Sequence, residues 1–182
     1  MMDKIGLALL TMFGVGYIKY APGTVASLIT CVTFYFIAKI VWFQDPYKFF
    51  HAYVPFVLFF LFIYSIILID KLSHYFKKKD PKEIVIDEFF GQLIPILSIT
   101  YWIWNVNPNN ANFVSRVWDN YEILIFLSFI LFRIFDIVKP FPINIIDKKM
   151  KNGLGVMLDD IIAGIYAAIS VFITLKIISL WL

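Results

Sequence analysis

Apolar residues in this chain run in five long blocks, Val25 to Phe43, Phe49 to Ile69, Ile84 to Ile103, Tyr121 to Val138 and Ile161 to Leu182. Each is long enough, at about 1.5 Å per helical residue, to cross or nearly cross a hydrocarbon core of roughly 30 Å. A sixth apolar piece, Ile5 to Val15, is too short to span; Ile5, Leu9, Met12 and Phe13 form one helical face suited to lying in the interface. The breaks between blocks fall at Tyr20-Ala-Pro-Gly-Thr24, Gln44-Asp-Pro46, Asp80-Pro81, Asn105 to Asn112 and Lys139 to Gly155, which carry Pro, Gly and Asn where turns need them. The pattern predicts an all-α polytopic membrane bundle of about five spans with a short N-terminal interfacial helix. No repeat or linker divides it, so residues 1–182 read as a single domain.

Composition agrees with the pattern. With 61% hydrophobic and 19% aromatic residues and a mean hydropathy of +0.81, the chain is too apolar for an ordinary soluble domain. A lone cysteine, Cys31, excludes an internal disulfide, and His51 and His74 are neither paired nor near a second soft ligand, which excludes structural zinc. The net charge of +3 is small for the length and gives no case for a nucleic-acid partner, and no protein partner is inferable. The distribution of charge is more informative. Lys71, Lys77, Lys78, Lys79 and Lys82 crowd one break and Lys139, Lys148, Lys149 and Lys151 another, whereas 44–48 and 104–120 carry only Lys48 and Arg116. By the positive-inside rule the lysine-rich segments are cytoplasmic, giving a cytoplasmic N-terminus and an external C-terminus.

Five carboxylates stand out against this background: Asp87, Glu88, Asp136, Asp159 and Asp160, all at the edges of apolar blocks. A charge near hydrocarbon costs about 2.5 to 3.5 kcal/mol at mid-span and less at the ends, and it persists where it pairs, lines a polar cavity or binds an ion. On the topology drawn from lysines alone, all five reach the cytoplasmic face, together with the Pro22-Gly-Thr24 turn. A structural reading stands beside the functional one: Asp87, Glu88, Asp159 and Asp160 in first helical turns would complement the helix dipole, and Asp136 would pair with Arg133 three residues earlier. Carboxylates without His or Cys are hard oxygen ligands that suit Mg²⁺ or Mn²⁺, and Mg²⁺ is commonly shared with a substrate phosphate. Arg133, Lys139 and the helix start at Ala21-Pro-Gly-Thr24, capped by Thr24 or Ser27, offer positive ends to that phosphate. Cys31 lacks an arginine six residues on, and no aspartyl-phosphate or histidine-phosphatase arrangement is present, leaving metal-assisted attack by water. The competing class is a small cation transporter, although such proteins place ionisable groups near mid-bilayer and here they hug one interface.

Four ordered stretches carry a more specific signal: Ala21-Pro-Gly-Thr-Val-Ala-Ser27, Asp80-Pro-Lys-Glu-Ile-Val-Ile-Asp-Glu-Phe-Phe-Gly91, Phe132-Arg-Ile-Phe-Asp-Ile-Val-Lys-Pro-Phe-Pro-Ile143 and Gly153-Leu-Gly-Val-Met-Leu-Asp-Asp-Ile-Ile-Ala-Gly164. Together they resemble the phosphatidylglycerophosphatase A family of bacterial lipid phosphatases. The resemblance implies an all-helical inner-membrane enzyme acting in the cytoplasmic leaflet. Such an enzyme hydrolyses the terminal phosphate monoester of phosphatidylglycerophosphate, with Mg²⁺, to phosphatidylglycerol and inorganic phosphate. It carries over to Thr24, Asp80, Asp87, Glu88, Arg133, Asp136, Lys139, Asp159 and Asp160. Within it we expect Asp87, Glu88, Asp159, Asp160 and Asp80 at the metal, Thr24, Arg133 and Lys139 at the phosphate, and Asp136, Glu88 and Asp87 in the chemistry, with Asp136 or Glu88 as the base. The chain departs from the family pattern at Ala26, where glycine is usual, and at Lys19, where proline is common.

Overall fold

The computed structural model describes residues 2–42, 53–76, 81–105 and 120–181, and these are all-helical. Seven α-helices lie among them: α1 Met2–Leu10, α2 Pro22–Trp42, α3 Val54–Leu72, α4 Ile86–Asn105, α5 Tyr121–Val138, α6 Ile143–Lys149 and α7 Gly153–Trp181. Each of the five apolar blocks is a helix over most of its length. By length and composition three of them are apolar enough to cross a membrane: Pro22–Ile40, Val54–Tyr75 and Gly153–Ile177. The other two, α4 and α5, hold 20 and 18 residues and carry part of the acidic set.

Several boundaries differ from the sequence expectation, each for a visible reason. Helix α2 starts at Pro22 rather than Val25 because proline, with no N–H to lose, suits the first helical position. Ser27 does not cap it; its hydroxyl donates back to the Gly23 carbonyl at 2.9 Å. Helix α1 stops at Leu10, since Met12 and Phe13 adopt left-handed backbone (φ 45° and 56°). Leu10 is buried while Ile5 and Phe13 are exposed, so the expected face through Phe13 is broken. Between Lys139 and Gly155 the chain forms α6, too short at seven residues for its periodicity to register.

The start of α7 matters most. It begins at Gly153, eight residues before Ile161, and its end is tied by the Asn152 carboxamide, which accepts from Gly155 N–H at 3.0 Å, and by Asp70 of α3, which accepts from Gly153 N–H at 2.6 Å. Asp159 and Asp160 therefore lie beyond the first turn of α7, where the dipole effect has faded. The capping account of that pair fails. Its 29 residues make α7 about 43 Å long, enough to cross the core and still carry its first turns beyond it.

Helix α7 is also central among the described residues, because the three apolar clusters found there all include it. One joins α2, α4, α5 and α7 around Ile96, Tyr121 and Val171; a second joins α1, α3, α4 and α7 around Leu10, Leu72 and Met157; a third joins α5, α6 and α7 around Phe132, Ile143 and Ala167. The outward faces are apolar too: Phe56, Val57, Phe59, Phe60 and Ile67 of α3 are exposed, as are Ile165, Ile169 and Ile173 of α7. Hydrocarbon is the natural solvent for such faces. Where α4 crosses α7 the contact is backbone to backbone. A side chain on Gly91 would strike the Asp160 carbonyl and one on Gly164 would strike the Gly91 carbonyl, so small residues here allow close approach.

Candidate functional site

That close crossing builds the site. Gly91 lies one turn after Asp87 and Glu88, and Gly164 one turn after Asp160, so pressing the two glycines together brings the first turn of α4 against the N-terminal half of α7. One carboxylate oxygen each from Asp87, Glu88 and Asp160 then lies within 4.8 Å of the others. Glu88 Oε2 and Asp160 Oδ2 are buried with no hydrogen-bond partner among the described residues. Asp87 Oδ1 and Asp159 Oδ1 each accept from the next residue's N–H, both at 3.1 Å. Like charges this close repel, and buried acceptors without donors are costly, so the cluster carries a penalty that a bound cation or protonation of one of the acids would relieve.

Around the cluster is a cavity of about 510 Å³. Helix α2 contributes its first turn, with Gly23 pressed so closely against the Glu88 carboxylate that any side chain there would collide with it. Ala21, just before that turn, has left-handed backbone (φ 45°), an uncommon conformation for a residue with a side chain. The N–H groups of Gly23 and Thr24 head α2 and have no carbonyl a turn earlier to bind. Helix α5 contributes Arg133 and Asp136, whose Nη1 and Oδ2 lie 2.8 Å apart with both side chains mostly buried. The pair is close but poorly aligned, and among the described residues the buried Nε and Nη1 have no well-aligned hydrogen-bond acceptor.

Lys139 closes the far side. It ends α5 in left-handed conformation (φ 46°) ahead of Pro140, which turns its side chain back over the site, and its Nζ reaches Asp159 Oδ2 at 2.8 Å and Asp147 Oδ1 at 3.0 Å. Burial alone would push the ammonium down, but the hydrogen bonds and charges of Asp159 and Asp147 outweigh it and hold Lys139 above its ordinary value. Asp147 shows the converse: burial raises its carboxyl, and Lys139 with Lys151 more than reverses this, so it lies below its ordinary value.

The structure thus brings together Thr24, Asp87, Glu88, Arg133, Asp136, Lys139, Asp159 and Asp160 around one cavity. It also divides the Asp159-Asp160 pair, turning Asp159 to Lys139 and Asp160 to Asp87 and Glu88. Asp80 lies outside the described residues. Sequence reasoning passed over Asp147, whose signal was an acid four residues before Lys151 inside a lysine-rich break, and Asp70, an acid at the end of an apolar block.

Asp147 yields a pH prediction. A carboxyl held low in the folded state contributes stability above its unfolded value, about 3.9, and loses it as pH falls through the folded value. Asp147→Asn should therefore lower the thermal midpoint at pH 7 slightly, the pair being partly exposed and screened. The gap to the parent protein should close below about pH 4. A gap that is constant with pH would assign the loss to packing.

Comparison with known proteins gives this arrangement a family. The family model for phosphatidylglycerophosphatase A matches residues 8–175. This chain belongs to that family. It is a phosphatase of phospholipid metabolism and carries apolar helices suited to a membrane. A phosphatidylglycerophosphatase A of Haemophilus influenzae is 34% identical over 88% of this chain and 82% of its own length. That of Escherichia coli is 29% identical over 86% of this chain and 75% of its own. A Bacteroides thetaiotaomicron protein, provisionally named a phosphatidylinositol-3-phosphatase, is 32% identical over 87% and 86%. No solved structure matches the chain.

Proposed function

We propose that this protein hydrolyses the terminal phosphate monoester of phosphatidylglycerophosphate, with Mg²⁺, to phosphatidylglycerol and inorganic phosphate. It does so at the cytoplasmic face of a bacterial inner membrane that the chain crosses about five times. The observation that carries this reading is the cluster of Asp87, Glu88 and Asp160, with two buried oxygens lacking a donor among the described residues, opening on a cavity that also holds Arg133. The donor set fits a hard divalent cation, being all carboxylate and in need of positive charge. Asp87, Glu88 and Asp160 would hold Mg²⁺, which when bound would polarise a phosphoryl oxygen and acidify a bound water.

The chain's own residues divide the remaining work. Arg133, paired with Asp136 yet with its buried Nε lacking an acceptor among the described residues, grips the phosphate beside the N–H groups and hydroxyl at Thr24. Lys139, kept charged by Asp147 and Asp159, stabilises negative charge as it builds on the phosphoryl group. Water attacks phosphorus and gives a proton to Asp136; the bond from phosphorus to the glycerol oxygen breaks, that oxygen takes a proton from solvent as phosphatidylglycerol leaves, and Asp136 returns its proton to solvent.

The test is phosphate release by the purified protein in mixed micelles of phosphatidylglycerophosphate, with Mg²⁺ and with a chelator. Release only with the metal is expected. Phosphatidylinositol 3-phosphate supplies the second arm, prompted by the Bacteroides relative's name. Faster release from the inositol lipid, or none from either, would overturn the substrate assignment.

A further inference from the structure

Five basic residues line the cavity, Lys19, Lys82, Arg133, Lys139 and Lys151, and they are not equivalent. Arg133, Lys139 and Lys151 are each engaged by an acid: Asp136 at 2.8 Å, Asp159 and Asp147 at 2.8 and 3.0 Å, and Asp147 at 3.7 Å. Lys19 and Lys82 are exposed, and among the described residues no acid pairs with either; Lys19 has only the face of Tyr20, 5.4 Å away. Positive charge not already spent on the protein's own carboxylates therefore sits at the mouth of the cavity.

The mouth is built rather than incidental. Lys19 lies late in the loop between α1 and α2, and Lys82 in the segment leading into α4. These two pieces of chain are fixed to each other. Gly16 packs so tightly on the Glu83 carbonyl that no side chain would fit, and Val85 N–H donates to the Leu10 carbonyl at 3.0 Å. Two lysines from segments more than sixty residues apart are thus held over one opening, with the acid cluster and Arg133 within.

We propose that Lys19 and Lys82 form a second anion subsite that receives the internal phosphodiester of the lipid, and so select a two-phosphate headgroup over a lipid with a phosphate monoester alone. The inference rests on the substrate reading above. A glycerol bridge separates the two phosphates of such a headgroup. With the terminal phosphate drawn in to Arg133, the diester must stay nearer the mouth, on the path back to the membrane. There an ammonium meets a singly charged phosphate in partly wet surroundings, which favours binding and orientation over chemistry.

The experiment is a KM against kcat comparison on full-length protein in mixed micelles, with Lys19→Gln and Lys82→Gln combined, and with Lys19→Arg and Lys82→Arg combined. For the glutamine pair KM for phosphatidylglycerophosphate should rise about tenfold and kcat change less than twofold, and the arginine pair should restore KM. Inhibition by phosphatidylglycerol, which carries the diester alone, should weaken about tenfold in the glutamine pair, whereas inhibition by inorganic phosphate should hold within twofold. Equal weakening for both inhibitors would make the lysines a general attractor of anions, and an unchanged KM would remove them from recognition; either overturns the proposal. If the parent protein releases no phosphate from phosphatidylglycerophosphate, the substrate reading has failed and not the subsite.

Discussion

Asp160→Asn should abolish phosphate release, by at least about 10² to 10³-fold, while raising thermal stability in metal-free buffer. The two effects share a cause. Asp160 is 4% exposed, one of its oxygens has no donor among the described residues, and it sits against Asp87 and Glu88. Asparagine keeps the shape, removes one of several crowded negative charges and offers an N–H₂ to its neighbours. Each kcal/mol so recovered should raise the midpoint by about 2 to 4 °C in a chain of this size. Trading stability for a cluster of repelling acids is what a functional site does. Excess Mg²⁺ should recover part of the activity if the lost oxygen is a metal ligand. A variant that melts lower and still turns over would make Asp160 a structural residue.

The second large effect concerns Arg133 and Asp136, whose separation of 2.8 Å is also what a plain i, i+3 ion pair would give. Replacing a buried pair by apolar residues of similar size is often neutral or stabilising. Arg133→Met with Asp136→Leu should therefore insert and fold normally. Phosphate release should nevertheless fall by about 10² to 10⁴-fold, because the double variant loses both a phosphate donor and the proton acceptor. Measuring turnover beside a folding readout, such as gel filtration and melting in detergent, separates the two roles. A folded double variant with near-parental turnover would show the pair to be structural only.

The sequence by itself determined the all-helical class and singled out acids that share one cavity. Helical apolar blocks are legible because hydrocarbon forces every backbone group to bond within its own segment, so length and hydropathy are enough to find α2, α3 and α7. The acids of the cavity were legible because charge beside hydrocarbon is too costly to be idle, and Asp87, Glu88, Asp136, Asp159 and Asp160 do line one cavity. What each acid faces was decided by tertiary structure alone. Asp159 and Asp160 are neighbours in sequence, yet successive helical residues point about 100° apart, so one turns to Lys139 and the other to Asp87 and Glu88. The same packing moved both out of a capping role, because α7 starts at Gly153 where Asp70 of another helix waits to receive its N–H. It also fixed the distance across the site through Gly91 against Gly164, a contact between residues more than seventy apart in sequence. Periodicity reports how each helix divides its own faces between lipid and protein. Which face meets which is set by side-chain volumes at the crossings, and those become visible only when the helices are packed.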